Sequence, residues 1–125
     1  MIHLDTHTVV WLYAGELTRF PAGARRRIER EELRISPIVA LELEYLHEIG
    51  RISEGASTVL QDLAGTLGLA EDEGDFGVVV AAARGLIWTR DPFDRLIVGH
   101  AAAFGTSLLT KDRTIRRHYR HAIWG

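Results

Sequence analysis

The pattern that most limits what this chain can fold into is the alternation of short apolar runs with longer segments of helical period. The runs at residues 1–4, 33–35 and 107–110 are too short to be helices. Each passes within a few residues into a stretch whose apolar positions recur every three or four residues. Strand followed by helix, repeated along a chain, is the signature of an α/β fold around a parallel sheet. No repeat, low-complexity tract or linker divides the 125 residues, so residues 1–125 read as a single domain.

In detail, residues 1–4 read as a first strand and residues 6–13 as the helix after it, broken at Gly15. A second helix spans 21–32 and leads into a short strand at 33–35. Ser36-Pro37, an N-cap followed by proline at the first helical position, opens a third helix running to about residue 49. Residues 56–63 read as helix, 66–70 as strand, and the acidic segment 71–74 as loop. Residues 76–84 carry the β-prone triplet Val78-Val79-Val80, but the alanines after it favour helix. A helix at 92–104 is ended by Gly105; strand 107–110, helix 113–119 and an edge strand at Ile123-Trp124 complete a sheet of four to five strands.

Several function classes drop out. With no cysteine there is neither a disulfide framework nor thiolate chemistry. No apolar run reaches the roughly 18 residues of a membrane span, and MIHLDTHTVV has an acid at Asp5 and no basic n-region, so no secretory signal and a cytoplasmic setting are expected. Gly-x-Ser-x-Gly, P-loop and dinucleotide-turn motifs are absent. The formal charge of −2 argues against a strongly basic nucleic-acid coat. Yet 14 of the 15 basic residues are arginine, gathered at Arg25-Arg26-Arg27 with Arg30 and at Arg116-Arg117 with Arg120. Such clusters suit bidentate phosphate contact, and equally a solvated helix face. His3-x3-His7 and His118-x2-His121 have metal-site spacings, but His3 lies on a strand, apart from any helical face with His7, and no cysteine completes a zinc set. Trp11, Trp88 and Trp124 read as core or interface anchors rather than base-stacking platforms.

The acids are more telling. In Asp91-Pro92-Phe93-Asp94, Asp91 is placed as an N-cap and Asp94 as the third helical residue, where negative charge favours the helix dipole. Capping also accounts for Asp5 and Asp112, each at a strand-to-helix junction, and Glu42 reads as an ordinary surface residue when taken alone. In open parallel sheets, however, ligands bind beyond the carboxyl ends of the strands. Asp5 and Asp112 belong at that edge, and Glu42, about five residues into its helix, can face it. Convergent carboxylates raise one another's pKa, and a bound divalent cation reverses that penalty. Mg²⁺ and Mn²⁺ take oxygen ligands and retain waters, so a few carboxylates suffice; such an ion activates water and screens a phosphodiester.

Four blocks carry a resemblance. LDTHTVVWLY, SPIVALELEYL, DPFDRLIVGHA and LLTKD, spanning residues 4 to 112, resemble in order and spacing the PIN-domain ribonuclease toxins of the VapC family. The resemblance implies a three-layer α/β/α domain, an acidic pocket holding Mg²⁺ or Mn²⁺, and endonucleolytic cleavage of RNA. It assigns the four acids to Asp5, Glu42, Asp94 and Asp112, as metal ligands and catalytic groups. Asp91 becomes a cap and outer group, and Thr110 a holder of water or phosphate. Arg95, Arg116 and Arg117 are the arginines placed for RNA. Also implied are a cognate VapB-type antitoxin covering the site and a homodimer; Trp11, Leu12 and Tyr13 are docking surface for the antitoxin or simply core. Leu41 stands where the family commonly has tryptophan, which alters packing but removes no ligand. Glu44 competes with Glu42 on sequence alone, but two residues turn it about 200° round a helix. Residues 71–85 match the family poorly. The rival readings are a phosphoacceptor receiver domain, which needs adjacent acids after the first strand, and a PIN fold retained for binding without catalysis.

Overall fold

All residues 1–125 are described in a computed structural model. The chain runs β1 (Ile2–Leu4), α1 (Thr6–Tyr13), a 3-10 turn (Leu17–Arg19), α2 (Ala22–Arg30), β2 (Leu33–Ile35), α3 (Pro37–Glu48) and α4 (Ala56–Leu67). It continues β3 (Ala70–Glu71), α5 (Phe76–Arg84), α6 (Pro92–Phe104), β4 (Ser107–Leu109), α7 (Arg113–His118) and β5 (Ala122–Ile123). The five strands form one sheet in the order β3-β2-β1-β4-β5, every pairing parallel.

β1 is central and buried along its length. Ile2 and Leu4 are fully enclosed, as the apolar strands of a sheet covered on both faces should be. Successive strand residues point to opposite faces, so His3, 1% exposed, projects away from Ile2 and Leu4 into a buried place of its own. The core extends through Leu33, Ile35, Val39, Leu43, Ile97, Val98, Leu108 and Leu109. α5 packs closely on α6 because Gly99 has no side chain: a Cβ there would lie 2.9 Å from Cβ of Ala83 and 3.0 Å from its backbone.

The α/β parallel architecture and most elements match the sequence pattern. One segment differs. α4 does not stop at residue 63 but runs to Leu67, and the strand after it is Ala70–Glu71 rather than residues 66–70. Gly65 is tolerated inside the helix, and the stop comes at Gly68, which takes φ +70° and closes the last turn. Glu71 therefore belongs to an edge strand, not to a loop. No helix is long and apolar enough to cross a membrane.

Candidate active site

The order 3-2-1-4-5 places a topological switch between β1 and β4, where connections leave to opposite sides, and a crevice is expected outside the carboxyl ends of these two strands. A cleft of about 420 Å³ lies there, lined by Asp5, Glu42, Asp91, Asp94 and Asp112 among others. The flavodoxin-like order of receiver domains, 2-1-3-4-5, is different.

Asp5 is the residue after β1 and the N-cap of α1. Its Oδ1 accepts the backbone N–H of Thr8 at 2.9 Å, and its Oδ2 accepts the Thr110 hydroxyl from the end of β4. Only 7% exposed, it is held at both oxygens, and burial still raises its pKa. Thr110 also accepts the Asp112 N–H at 3.1 Å, and Asp112 in turn caps α7 through the N–H of Ile115 at 2.9 Å. Glu42, half-buried on α3, accepts the Thr6 hydroxyl; burial raises its pKa first, and the charges of Asp91 and Asp5 add to that. Glu44 points elsewhere, accepting the Ala56 N–H at the start of α4.

The sequence DPFD divides its labour as its spacing suggests. Asp91 caps α6, accepting the N–H groups of Phe93 at 2.8 Å and Asp94 at 3.2 Å. Asp94 makes no side-chain hydrogen bond of its own, and its carboxyl is pushed up to about 7. Burial is the main cause; the charges of Asp91, Asp112, Glu42 and Asp5 follow. Asp94 thus sits half-buried among like charges, a position that a bound cation would relieve.

The PIN domain family model matches residues 2–121. The chain belongs to the PIN domain family. It is 34% identical over 124 residues to Ribonuclease VapC22 of Mycobacterium tuberculosis (strain ATCC 25618 / H37Rv), covering 94% of this chain and 91% of that relative. Its fold is shared with a chain in the crystal structure of VapBC2 from Rickettsia felis bound to a promoter DNA fragment, at 19% identity and TM-score 0.67, covering 98% and 96% of the two chains. The same coverage, with 21% identity and TM-score 0.63, relates it to a chain of DNA-bound VapBC from Salmonella typhimurium.

On this PIN scaffold the four predicted acids and Asp91 line one cleft, with Thr110 bonded to Asp5 beside it. The arginines are placed differently. Arg95 turns away to the end of α5, donating to the carbonyls of Ala83 at 3.2 Å and Arg84 at 3.0 Å. One residue past Asp94 on a helix is about 100° round it, and the guanidinium reaches the carbonyls that α5 leaves without intrahelical partners. Arg116 and Arg117 are exposed on α7 outside the cleft, Arg116 donating to the Lys111 carbonyl. The basic side chains that do line the cleft are His7 and Lys111. Neither stands out by pattern, although Lys111 lies between Thr110 and Asp112 and is the only lysine. Trp11 lines the cleft too, packed edge-on against Phe20 and Trp124, with the Lys111 ammonium 5.8 Å from its ring. Leu12 is buried in the core. Leu41 is 58% exposed, so the family's tryptophan position is here a matter of surface rather than core packing.

Proposed function

We propose that this PIN-domain chain is a metal-dependent endoribonuclease toxin that acts in the cytoplasm and is restrained by a cognate VapB-type antitoxin. The observation that carries the reading is the convergence of five carboxylates on one cleft at the β1–β4 switch point, with Asp94 raised to about 7 first by burial and then by the charges of the other four. The donors are all oxygen, which fits Mg²⁺ or Mn²⁺. Asp5 and Asp94 are the principal ligands, with Glu42 and Asp112 as further ones. A hard divalent cation bound there supplies Lewis-acid screening of the phosphodiester and a lower pKa for the attacking water.

The protein's own groups do the positioning. Thr110 and the Thr8 N–H fix both oxygens of Asp5, and Thr6 fixes Glu42, so little reorganisation is left at the moment of reaction. Lys111 at the cleft wall is the cation nearest an RNA phosphate seated over the acids, with the His7 ring beside it and Arg116 and Arg117 on α7 beyond. Exposed Leu41 and Tyr45 on α3, with Ile49 just past its end, give an apolar surface for a second copy or for the antitoxin, in keeping with a homodimer. The 34% identity to the M. tuberculosis ribonuclease and the fold shared with chains of the two VapBC complexes support the activity and the partner.

The deciding experiment is cleavage of a mixed RNA pool with Mn²⁺ by wild type and by Asp94→Asn, with melting of both proteins followed with and without the ion. Cleavage and ion-dependent stabilisation in the wild type, both lost in the variant, are expected. Cleavage that survives Asp94→Asn removes the mechanism.

A further inference from the structure

We propose that His3, Asp72 and His100 form a second cation site, separate from the acid cleft, that takes Zn²⁺ or a similar transition-metal dication and ties together β1, the turn after β3 and α6. The acidic segment that reads in sequence as a solvated loop instead turns Asp72 inward. Its Oδ2 lies 2.8 Å from His3 Nε2 and its Oδ1 3.4 Å from His100 Nε2. One ligand atom from each of the three residues falls within 4.8 Å of the other two, and no other set of three His, Cys, Asp or Glu is so grouped.

Burial sharpens the point. His3 is 1% exposed and His100 0%, while Asp72 is 13% exposed and leaves a way in from the turn. His100 Nε2 has no hydrogen-bond partner, and neither has His3 Nδ1. Buried polar nitrogens are ordinarily satisfied, and one left alone is costly. The lone Nε2 of His100 lies 3.4 Å from the carboxylate without a hydrogen bond to it, and a cation shared between them would satisfy it.

The surroundings resemble those of a ligating histidine. His100 Nδ1 sits 2.8 Å from Ser36 Oγ, itself buried, which fixes the ring and leaves Nε2 as the outward donor. Asp72 is oriented by the Gly74 N–H, 2.8 Å from its Oδ1. Phe76 and Phe104 flank the His100 ring at 6.0 and 5.7 Å, excluding water from that side. Two imidazoles and a carboxylate, with water as a fourth ligand, are a zinc-type donor set and a poor one for Mg²⁺. The site does not depend on the nuclease reading. It is nonetheless linked to the cleft by the backbone, since β1 carries His3 and is followed directly by Asp5, and α6 carries both Asp94 and His100.

The test uses the full chain in excess Mg²⁺, which occupies oxygen-only sites. Zn²⁺ should raise the melting temperature, saturating at a single equivalent, and Co²⁺ in its place should give the visible absorption of a low-coordinate, imidazole-ligated ion. Both signals should persist in Asp94→Asn and weaken about tenfold or more in Asp72→Asn and His100→Gln. Should His100→Gln fail to fold, Asp72→Asn, at the most accessible of the three, decides. A wild type that shows neither signal overturns the proposal and leaves the trio a hydrogen-bonded tie alone. Zn²⁺ binding lost in Asp94→Asn but kept in Asp72→Asn overturns it as well, by sending the ion to the acid cleft.

Discussion

The Thr110 hydroxyl donates to the carboxylate of Asp5 across the junction of β4 and β1, 105 residues apart in sequence. The bond closes the floor of the cleft, because the same hydroxyl oxygen accepts the Asp112 N–H and so positions two of the four acids. Thr110→Val keeps the shape but strands a buried carboxylate oxygen and an N–H. The expected loss is about 1–3 kcal/mol of stability, read by urea unfolding, together with reduced RNA cleavage. Thr110→Ser, which keeps the donor, should recover most of both.

Asp94 gives the protein a pH dependence of definite sign. Below its ordinary value of 3.8 the carboxyl is neutral in the folded and the unfolded chain alike. Between there and about 7 the unfolded chain ionises it while the fold keeps the proton, so metal-free stability falls as pH rises across that window. Asp5 and Glu42, also raised, act in the same direction. Asp94→Asn should therefore be more stable than wild type at the upper end of the window and no different at the lower end, when melting temperatures are compared in EDTA.

The same proton couples to the cation. A carboxylate must be ionised to ligate, so binding to the wild type should release protons and tighten as pH rises, levelling off above about 7. Calorimetric titration with Mn²⁺ in two buffers of different ionisation enthalpy measures the release directly. A Mn²⁺ affinity independent of pH through this range would mean that Asp94 is not a ligand.

Arg95 and Lys111 should separate stability from activity. Arg95→Ala removes two charge-assisted bonds to the end of α5, with an expected loss of about 1.5–3 kcal/mol, lessened by the partial exposure of the side chain, and leaves RNA affinity close to wild type. Lys111→Ala touches no backbone group. It should leave the melting temperature nearly unchanged while weakening RNA binding and flattening its salt dependence. The reverse assignment, with Arg95 as the RNA contact, predicts the opposite pattern.

These contrasts also show what a linear reading reaches. Elements with strong local signals were legible: the Asp91-Pro92 cap and the Gly105 stop bound α6, and the bounds of α1, β2 and α5 follow from pattern. Asp5 and Asp112 were legible as acids at strand ends that also cap helices, local features that the parallel sheet then gathers, whereas Glu42 and Asp94 joined them only through the family resemblance. β3 was misplaced because two paired residues carry no period, and its position depends on β2 beside it. Asp72 looked solvated because its partners, His3 and His100, lie on β1 and α6, far away in sequence. Arg95 was adjacent to the right residue on the wrong side of the helix, and only the end of α5 reveals where it goes.

The position of Asp94 rests finally on how α6 seats against α5, and Gly99 tests that. Gly99→Ala would improve helix propensity by about 1 kcal/mol in isolation. In place, the new methyl meets Ala83 at 2.9 Å and its backbone at 3.0 Å, so α5 and α6 must move apart. Overpacking of this kind costs about 1–3 kcal/mol, and because the contact is to backbone, no side-chain rotation relieves it. The net expectation is a destabilised protein with weakened Mn²⁺ binding, since Asp94 moves with its helix while Asp5 stays at the end of β1. Melting with and without Mn²⁺ separates the two effects: a lower melting temperature with an undiminished ion-induced shift would mean that α6 rides on α5 without setting the cleft.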